Sequence, residues 1–172
     1  MNTALLLVDV QRNMLEGDGA IPAAPLVRPA LTALLERARA ADAVIVHVQN
    51  DGSEGDPDLP FTPGWELVFP PAGGELVVRK DQPDTFASNP GLAGALRQHG
   101  VNQVVVAGMQ SEYCIRATAR AARAAGFDVV VAAGAHATYD NTVPAPEISA
   151  QIEQSLVSDG VEVRDAAQVT FR

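Results

Sequence analysis

The sequence predicts a three-layer α/β/α protein, doubly wound around a central parallel β-sheet. Two observations predict it. The apolar runs are short, β-branched and nearly continuous rather than alternating, as in strands buried on both faces. Segments with helical spacing stand between most of them, and strand–helix alternation builds right-handed βαβ crossovers. A third observation places a site. Polar residues of unlike chemistry close several of the runs, and open parallel sheets bind ligands beyond the carboxyl ends of their strands.

The first run, ALLLVDV (4–10), is a strand with Asp9 near its end. LVRPALTALLERARAA (26–41) has helical spacing, and AVIVHV (43–48) is the second strand, with His47 inside its pattern. The Pro/Gly-rich segment 50–74 lies between strands and reads as a long loop rather than a linker. Loops of this length in a compact domain are usually functional. ELVVRK (75–80) is the third strand and closes on Lys80. Then come a helix over PGLAGALRQH (90–99), a strand at QVVVAG (103–108), a helix over 112–125, a strand at FDVVVAAG (127–134), a helix over 146–159 and a last short strand, VEV (161–163). There is no internal repeat. The 172 residues are 47% apolar and 19% charged, which predicts one globular domain spanning 1–172.

Composition excludes several classes of function. A net charge of -9 disfavours nucleic acid and anionic membranes as partners. The opening MNTALLLVDVQ lacks the basic region and cleavage site of a signal peptide. No segment approaches the ~20 apolar residues of a membrane span. One cysteine cannot form an internal disulfide, so a reducing cytoplasm is the expected compartment. Of the 12 basic residues only Lys80 is lysine. A lone lysine among arginines points to a place where the planar guanidinium would not serve.

The stretch VVVAGMQSEYCIRATARAARAAG (104–126) carries the only cysteine. A helical wheel sets Cys114, Ala117, Thr118, Ala121 and Ala125 on an inward face, with Arg116, Arg120 and Arg123 opposite. A thiol in a first helical turn is expected to favour its thiolate, the nucleophilic form. The same helix equally fits a buried structural cysteine. Asp9 closing an apolar strand needs a partner and is a candidate general base, though turn aspartates are common. Lys80 is the candidate that ionises and orients both; a solvated strand-end lysine is the plainer alternative.

The motifs LLLVDVQ, VVRKDQPDTF and VVVAGMQSEYCIRATARAARAAGFDVVV resemble those of the isochorismatase-like cysteine hydrolases, which include nicotinamidases, N-carbamoylsarcosine amidases and streptothricin hydrolases. The resemblance runs to about residue 143. It implies strand order 3-2-1-4-5-6 and a catalytic triad of Asp9, Lys80 and Cys114. It also implies a cis peptide at Met109–Gln110, an oxyanion hole from the N–H groups of Gln110 and Cys114, and a homodimer or higher homo-oligomer. The expected substrate is a small amide or related C–N bond, cyclic amides included, attacked to give a Cys114 thioester. Two departures matter. The region after the second strand, HVQNDGSEGDPDLPFTPGW, has no histidine after His47 where nicotinamidases hold a metal, so no metal and no cofactor is expected. Isochorismatases proper often lack the cysteine that is present here.

Other residues are candidates for the pocket. Gln11 follows Asp9 in the family pattern and either holds the loop or is a surface residue. Trp65, Phe61, Phe86, Tyr113 and Tyr139 are aromatics expected near the active edge. Glu112 faces a cationic substrate or simply the helix dipole. His136 is expected after the fifth strand, in contact with substrate or hydrogen-bonded in a loop. The remaining arginines, Arg79 among them, read as solvated. Two rival functions remain. A peroxide-sensing thiol would need an external resolving thiol. A non-catalytic binding module of the same fold would have no use for the lone lysine and lone cysteine on one edge.

Overall fold

A computed structural model describes residues 2–172. Six strands form one sheet: β1 (Asn2–Val8), β2 (Val44–Asn50), β3 (Leu76–Lys80), β4 (Val101–Met109), β5 (Asp128–Ala137) and β6 (Glu162–Asp165). Every pairing is parallel and the order is β3-β2-β1-β4-β5-β6, as expected. The helices are α1 (Arg12–Leu15), α2 (Ala24–Ala40), α3 (Thr85–Ser88), α4 (Leu92–Gln98), α5 (Arg116–Ala124) and α6 (Ala145–Ser158). The sequence pattern misses α1 and α3, which are single turns too short to show periodicity. None of the helices is long and apolar enough to cross a membrane.

The continuous apolar strands are buried on both faces. Leu5 and Leu7 of β1 join Leu31, Leu34 and Leu35 of α2 in one core. Ala4, Leu6 and Val8 join Leu96 of α4, Ala119 and Ala122 of α5 and Leu156 of α6 in the other. Alternate residues of one strand thus feed opposite layers, which is why no polar face interrupts the run. The strand order reverses between β1 and β4, and the chain leaves both at the same carboxyl edge. Gly108 allows these two strands to meet there. Its φ is +121°, and a Cβ on it would lie 2.0 Å from the Val8 carbonyl oxygen.

Two local features depart from the sequence pattern. The segment after β4 opens as a π-helical turn, Ser111–Ile115, before α5 begins. The wider π turn shifts the helical phase, so the buried stripe is Ile115, Thr118, Ala119 and Ala122 rather than the one drawn from Cys114 at 3.6-residue spacing. Strand β5 also runs three residues past its apolar run, to Ala137. It carries a bulge: β5 advances five residues, from Val131 to His136, where β4 advances two, from Val106 to Gly108.

Candidate active site

Three strand ends converge beyond the carboxyl edge. Asp9 directly follows β1 and is 2% exposed, with φ +53° and its N–H donating to the Val48 carbonyl at 2.9 Å. That left-handed conformation is uncommon outside glycine, and a short polar side chain such as aspartate tolerates it best. Lys80 ends β3 and is equally buried. Cys114 sits in the π turn after β4 and remains partly exposed.

Lys80 joins them. Its Nζ lies 3.0 Å from Asp9 Oδ2, 2.9 Å from Asn50 Oδ1 and 3.2 Å from Cys114 Sγ. An ammonium has three donors, and each meets one acceptor. A planar guanidinium cannot direct three donors from one atom at converging partners, which gives the lone lysine a physical reason. Asp9 Oδ1 is buried with no hydrogen-bond partner among the described residues. The Met109–Gln110 peptide, immediately before the turn, is cis.

The site titrates as a unit. Burial raises the Asp9 carboxyl above its ordinary value, and the neighbouring Lys80 offsets only part of this. Burial acts against the Lys80 ammonium, but Asp9 and Cys114 outweigh it and hold its pKa above the ordinary value. Burial, then the Asp9 charge, push the Cys114 thiol up to about 12. The expected resting thiolate is therefore corrected: the sulfur keeps its proton, because desolvation dominates and α5 begins only at Arg116, beyond it.

Gln11 is almost fully buried and holds the loop. Its Nε2 donates to the carbonyls of Asn50 at 3.0 Å and Trp65 at 2.9 Å, and its Oε1 accepts from the Asn50 N–H at 2.8 Å. Asn50, which sequence reasoning missed, is the hub of the site. It also donates from Nδ2 to the buried Asp58 at 2.7 Å. Its only sequence signal is its place beyond the second apolar run, on the same edge as Asp9 and Lys80.

The aromatic candidates separate. Trp65 donates from Nε1 to Asp51 at 2.8 Å and is half-buried in the loop. Phe61 is 82% exposed beside it, so it lies on the outer surface rather than in a pocket. Phe86 packs on the α4–α5 core with its ring 6.4 Å from Phe127, drawn inward because Asp84 caps α3 through the Phe86 and Ala87 N–H groups. Tyr113 is half-exposed beside Cys114, and Tyr139 donates to the Gly19 carbonyl at 2.6 Å. Glu112 accepts from Thr138 Oγ1 at 2.5 Å. Arg79, read as solvated, instead pairs with Asp51 at 2.9 Å and lies over the Trp65 and Phe61 rings.

His136 is corrected too. It lies inside β5 rather than after it, and both ring nitrogens are engaged within the protein: Nδ1 with Ser111 Oγ at 2.7 Å and Nε2 with Glu153 Oε1 at 2.9 Å. Beyond the β5 bulge it meets Ser111, the first residue of the π turn that carries Cys114. His47 is buried in β2 with Nε2 on Glu75 at 2.7 Å. Among the described residues no three His, Cys, Asp or Glu side chains gather in an arrangement that could hold a metal ion.

Fold and site together define a class: doubly wound α/β proteins with a thiol, an ammonium and a carboxylate gathered at the switch point. Residues 3–154 match the isochorismatase domain family, and the chain belongs to that family. It is 46% and 45% identical to two streptothricin hydrolases of Streptomyces noursei, each over 98% of this chain, which spans 70% and 64% of their respective lengths. A crystal structure of an isochorismatase from Pseudomonas putida superposes with a TM-score of 0.88 at 26% identity, over 98% of this chain and 90% of that one. The chain is a hydrolase of this family.

Proposed function

We propose that this protein is a metal-independent cysteine hydrolase of small amides or related C–N bonds, cyclic amides included. One observation carries the reading: Lys80 Nζ bridges Asp9 and Cys114 while Asp9 Oδ1 is left without a partner. A buried carboxylate oxygen that no N–H or O–H group holds, next to the Cys114 thiol, is poised to take its proton. In this mechanism Asp9 accepts the thiol proton as Cys114 Sγ attacks the carbonyl carbon, so no resting thiolate is needed. The carbonyl π electrons move to oxygen, where the N–H groups of Gln110 and Cys114 form the oxyanion hole. The C–N bond breaks as Asp9 passes its proton to the departing amine, leaving a Cys114 thioester. Water then attacks, Asp9 takes a water proton, and the acid leaves as the proton returns to sulfur. Lys80 stays charged throughout and holds both partners.

The streptothricin hydrolase relatives support a cyclic amide as substrate. The donor set supports metal independence, since His47 is occupied by Glu75 and both ring nitrogens of His136 are engaged by Ser111 and Glu153. A peroxide-sensing role fits poorly, because a thiol held near 12 is a weak reductant toward peroxide. The small-molecule amide is the expected partner, with a homodimer or higher homo-oligomer as the expected assembly.

The test is turnover on a panel of small linear and cyclic amides with chelator present, followed by ammonia release and product mass, for wild type and Cys114→Ala. Activity that survives chelation and vanishes in the variant supports the reading. Activity lost to chelator overturns metal independence. Activity that persists in Cys114→Ala overturns the thiol mechanism.

A further inference from the structure

Outside the Asp9–Lys80–Cys114 cluster, the molecule buries one histidine whose two nitrogens link three separate elements. His136 reaches from β5 to Ser111 Oγ, the first residue of the turn that carries Cys114, and to Glu153 on α6. Ser111 Oγ also lies 2.9 Å from Ser149 Oγ of α6. Ser111 is fully buried and the His136 side chain is sealed from solvent. Glu153 is partly exposed on a cavity of about 270 Å³ whose wall at the start of α2 is Ala23, Leu26 and Val27, none of them charged.

The partners fix the direction of the hydrogen bonds. A carboxylate only accepts, so Nε2 carries the ring proton. In the neutral ring Nδ1 is then an acceptor, and the Ser111 hydroxyl must donate to it. That leaves Ser111 Oγ free to accept from Ser149. Each group has one role, and the chain Ser149 to Ser111 to His136 to Glu153 runs one way. The charged partner the ring meets is Glu153. The nearest acid on the turn, Glu112, is taken by Thr138.

We infer that His136 is a positioning residue for the nucleophile turn: anchored by Glu153, it holds Ser111 and thereby sets the Gln110 and Cys114 N–H groups and the sulfur in their working geometry. This inference rests on the thiol-hydrolase reading of the site. The bulge in β5 has a purpose on this view. Without its extra residues His136 would stand lower on the sheet and could not reach beneath the turn.

The experiment compares wild type, His136→Leu, His136→Asn and Ser111→Ala on the best amide from the panel, with thermal midpoints recorded for each. Asparagine keeps an acceptor near the Nδ1 position; leucine removes both contacts. We expect a folded His136→Leu to lose about tenfold or more in kcat with KM within about twofold, and His136→Asn to recover most of that loss. A folded leucine variant with kcat within about twofold of wild type overturns the inference, as does a loss that asparagine leaves unrepaired. If leucine at 136 does not fold, Ser111→Ala is read against the same thresholds. If wild type turns over no amide, the hydrolase reading fails separately, and the inference is read from iodoacetamide alkylation of Cys114 at pH about 9. A change of about fivefold or more in the leucine or Ser111→Ala variant, absent in His136→Asn, supports it, and equal rates throughout overturn it.

Discussion

The two ends of β3 carry two buried carboxylate clusters that behave in opposite ways. Just before the strand, Glu75 is fully engaged. Arg39 Nε meets Oε1 at 2.6 Å, while Oε2 accepts from Arg39 at 3.0 Å, His47 at 2.7 Å and the Ala72 N–H at 2.8 Å. Arg39 first, with those other donors, holds its carboxyl down at about 2. At the far end Lys80 meets Asp9, but Asp9 keeps one oxygen unpartnered and burial raises its pKa. Both are acids beside a cation. The closed cluster ties α2, β2 and the β3 entry together; the open one has an acceptor to spare. The contrast separates a carboxylate that stabilises the chain from one that can take a proton.

The largest effect should come from the open cluster. Lys80→Met is expected to lower kcat by about a thousandfold or more, roughly 4 kcal/mol of transition-state stabilisation. Lys80→Arg should not restore it, because a guanidinium cannot reproduce the three converging contacts. An arginine variant with more than about a tenth of wild-type kcat would sink the geometric account of the lone lysine. In wild type, alkylation of Cys114 by iodoacetamide should keep rising with pH through about 9, as befits a thiol held near 12. A plateau below pH about 8 would show a resting thiolate instead.

The closed cluster should answer in stability alone. Glu75→Gln removes the charge and one of the two acceptor oxygens that Arg39 and His47 share, and should cost about 1–3 kcal/mol of unfolding free energy with kcat within about twofold of wild type. Denaturant titration and turnover on the same sample read both. A kcat loss matching that of Lys80→Met would mean the two ends of β3 are not independent.

The pH dependence sharpens the same contrast. Glu75 has a lowered folded pKa, so its contribution is present above its ordinary value of 4.5 and is lost as pH falls toward about 2. His47 is lowered chiefly by burial, so the unfolded chain takes that proton first and stability declines as pH falls through 6.5. Asp9 has the opposite sign. Its raised pKa gives a contribution present below 3.8 and lost as pH rises through the folded value. The stability gap between wild type and Glu75→Gln should therefore narrow below pH 4.5. A constant gap between pH about 7 and about 3 would show that Glu75 is not the group responsible.

The open cluster was far more legible in sequence than the closed one. Asp9 and Lys80 each end an apolar run, and Cys114 follows one, so a parallel sheet alone puts all three on one edge. The strand order and the cis peptide came from family motifs, since no local pattern encodes either. Asn50 and the His47–Glu75–Arg39 cluster were hidden because the contacts that define them, Asn50 to Gln11 and Lys80 and Glu75 to Arg39 and His47, span 28 or more residues of chain, and an asparagine after a strand usually means a turn. The phase of α5 was misjudged because a π turn leaves no mark on composition. His136 was displaced by a bulge that the small residues Ala132 to Ala135 permit but do not announce.

The smallest effect tests where the open cluster stops. Arg79 precedes Lys80 and pairs with Asp51, while its guanidinium lies 5.1 Å from the Trp65 ring and 5.4 Å from that of Phe61. Asp51 also accepts from Trp65 Nε1, so Arg79 clamps the 51–66 loop beside the site. Its side chain is 45% exposed, which limits both the ion pair and the stacking to about 0.5–1 kcal/mol. Arg79→Met should thus cost at most about 1 kcal/mol in stability, and less at high salt. Because the clamp touches the loop and none of Asp9, Lys80 and Cys114, KM should rise by about two- to fivefold while kcat holds. A kcat that falls in parallel with Lys80→Met would place Arg79 inside the open cluster, and the boundary between binding loop and reacting groups would then lie one residue earlier on β3.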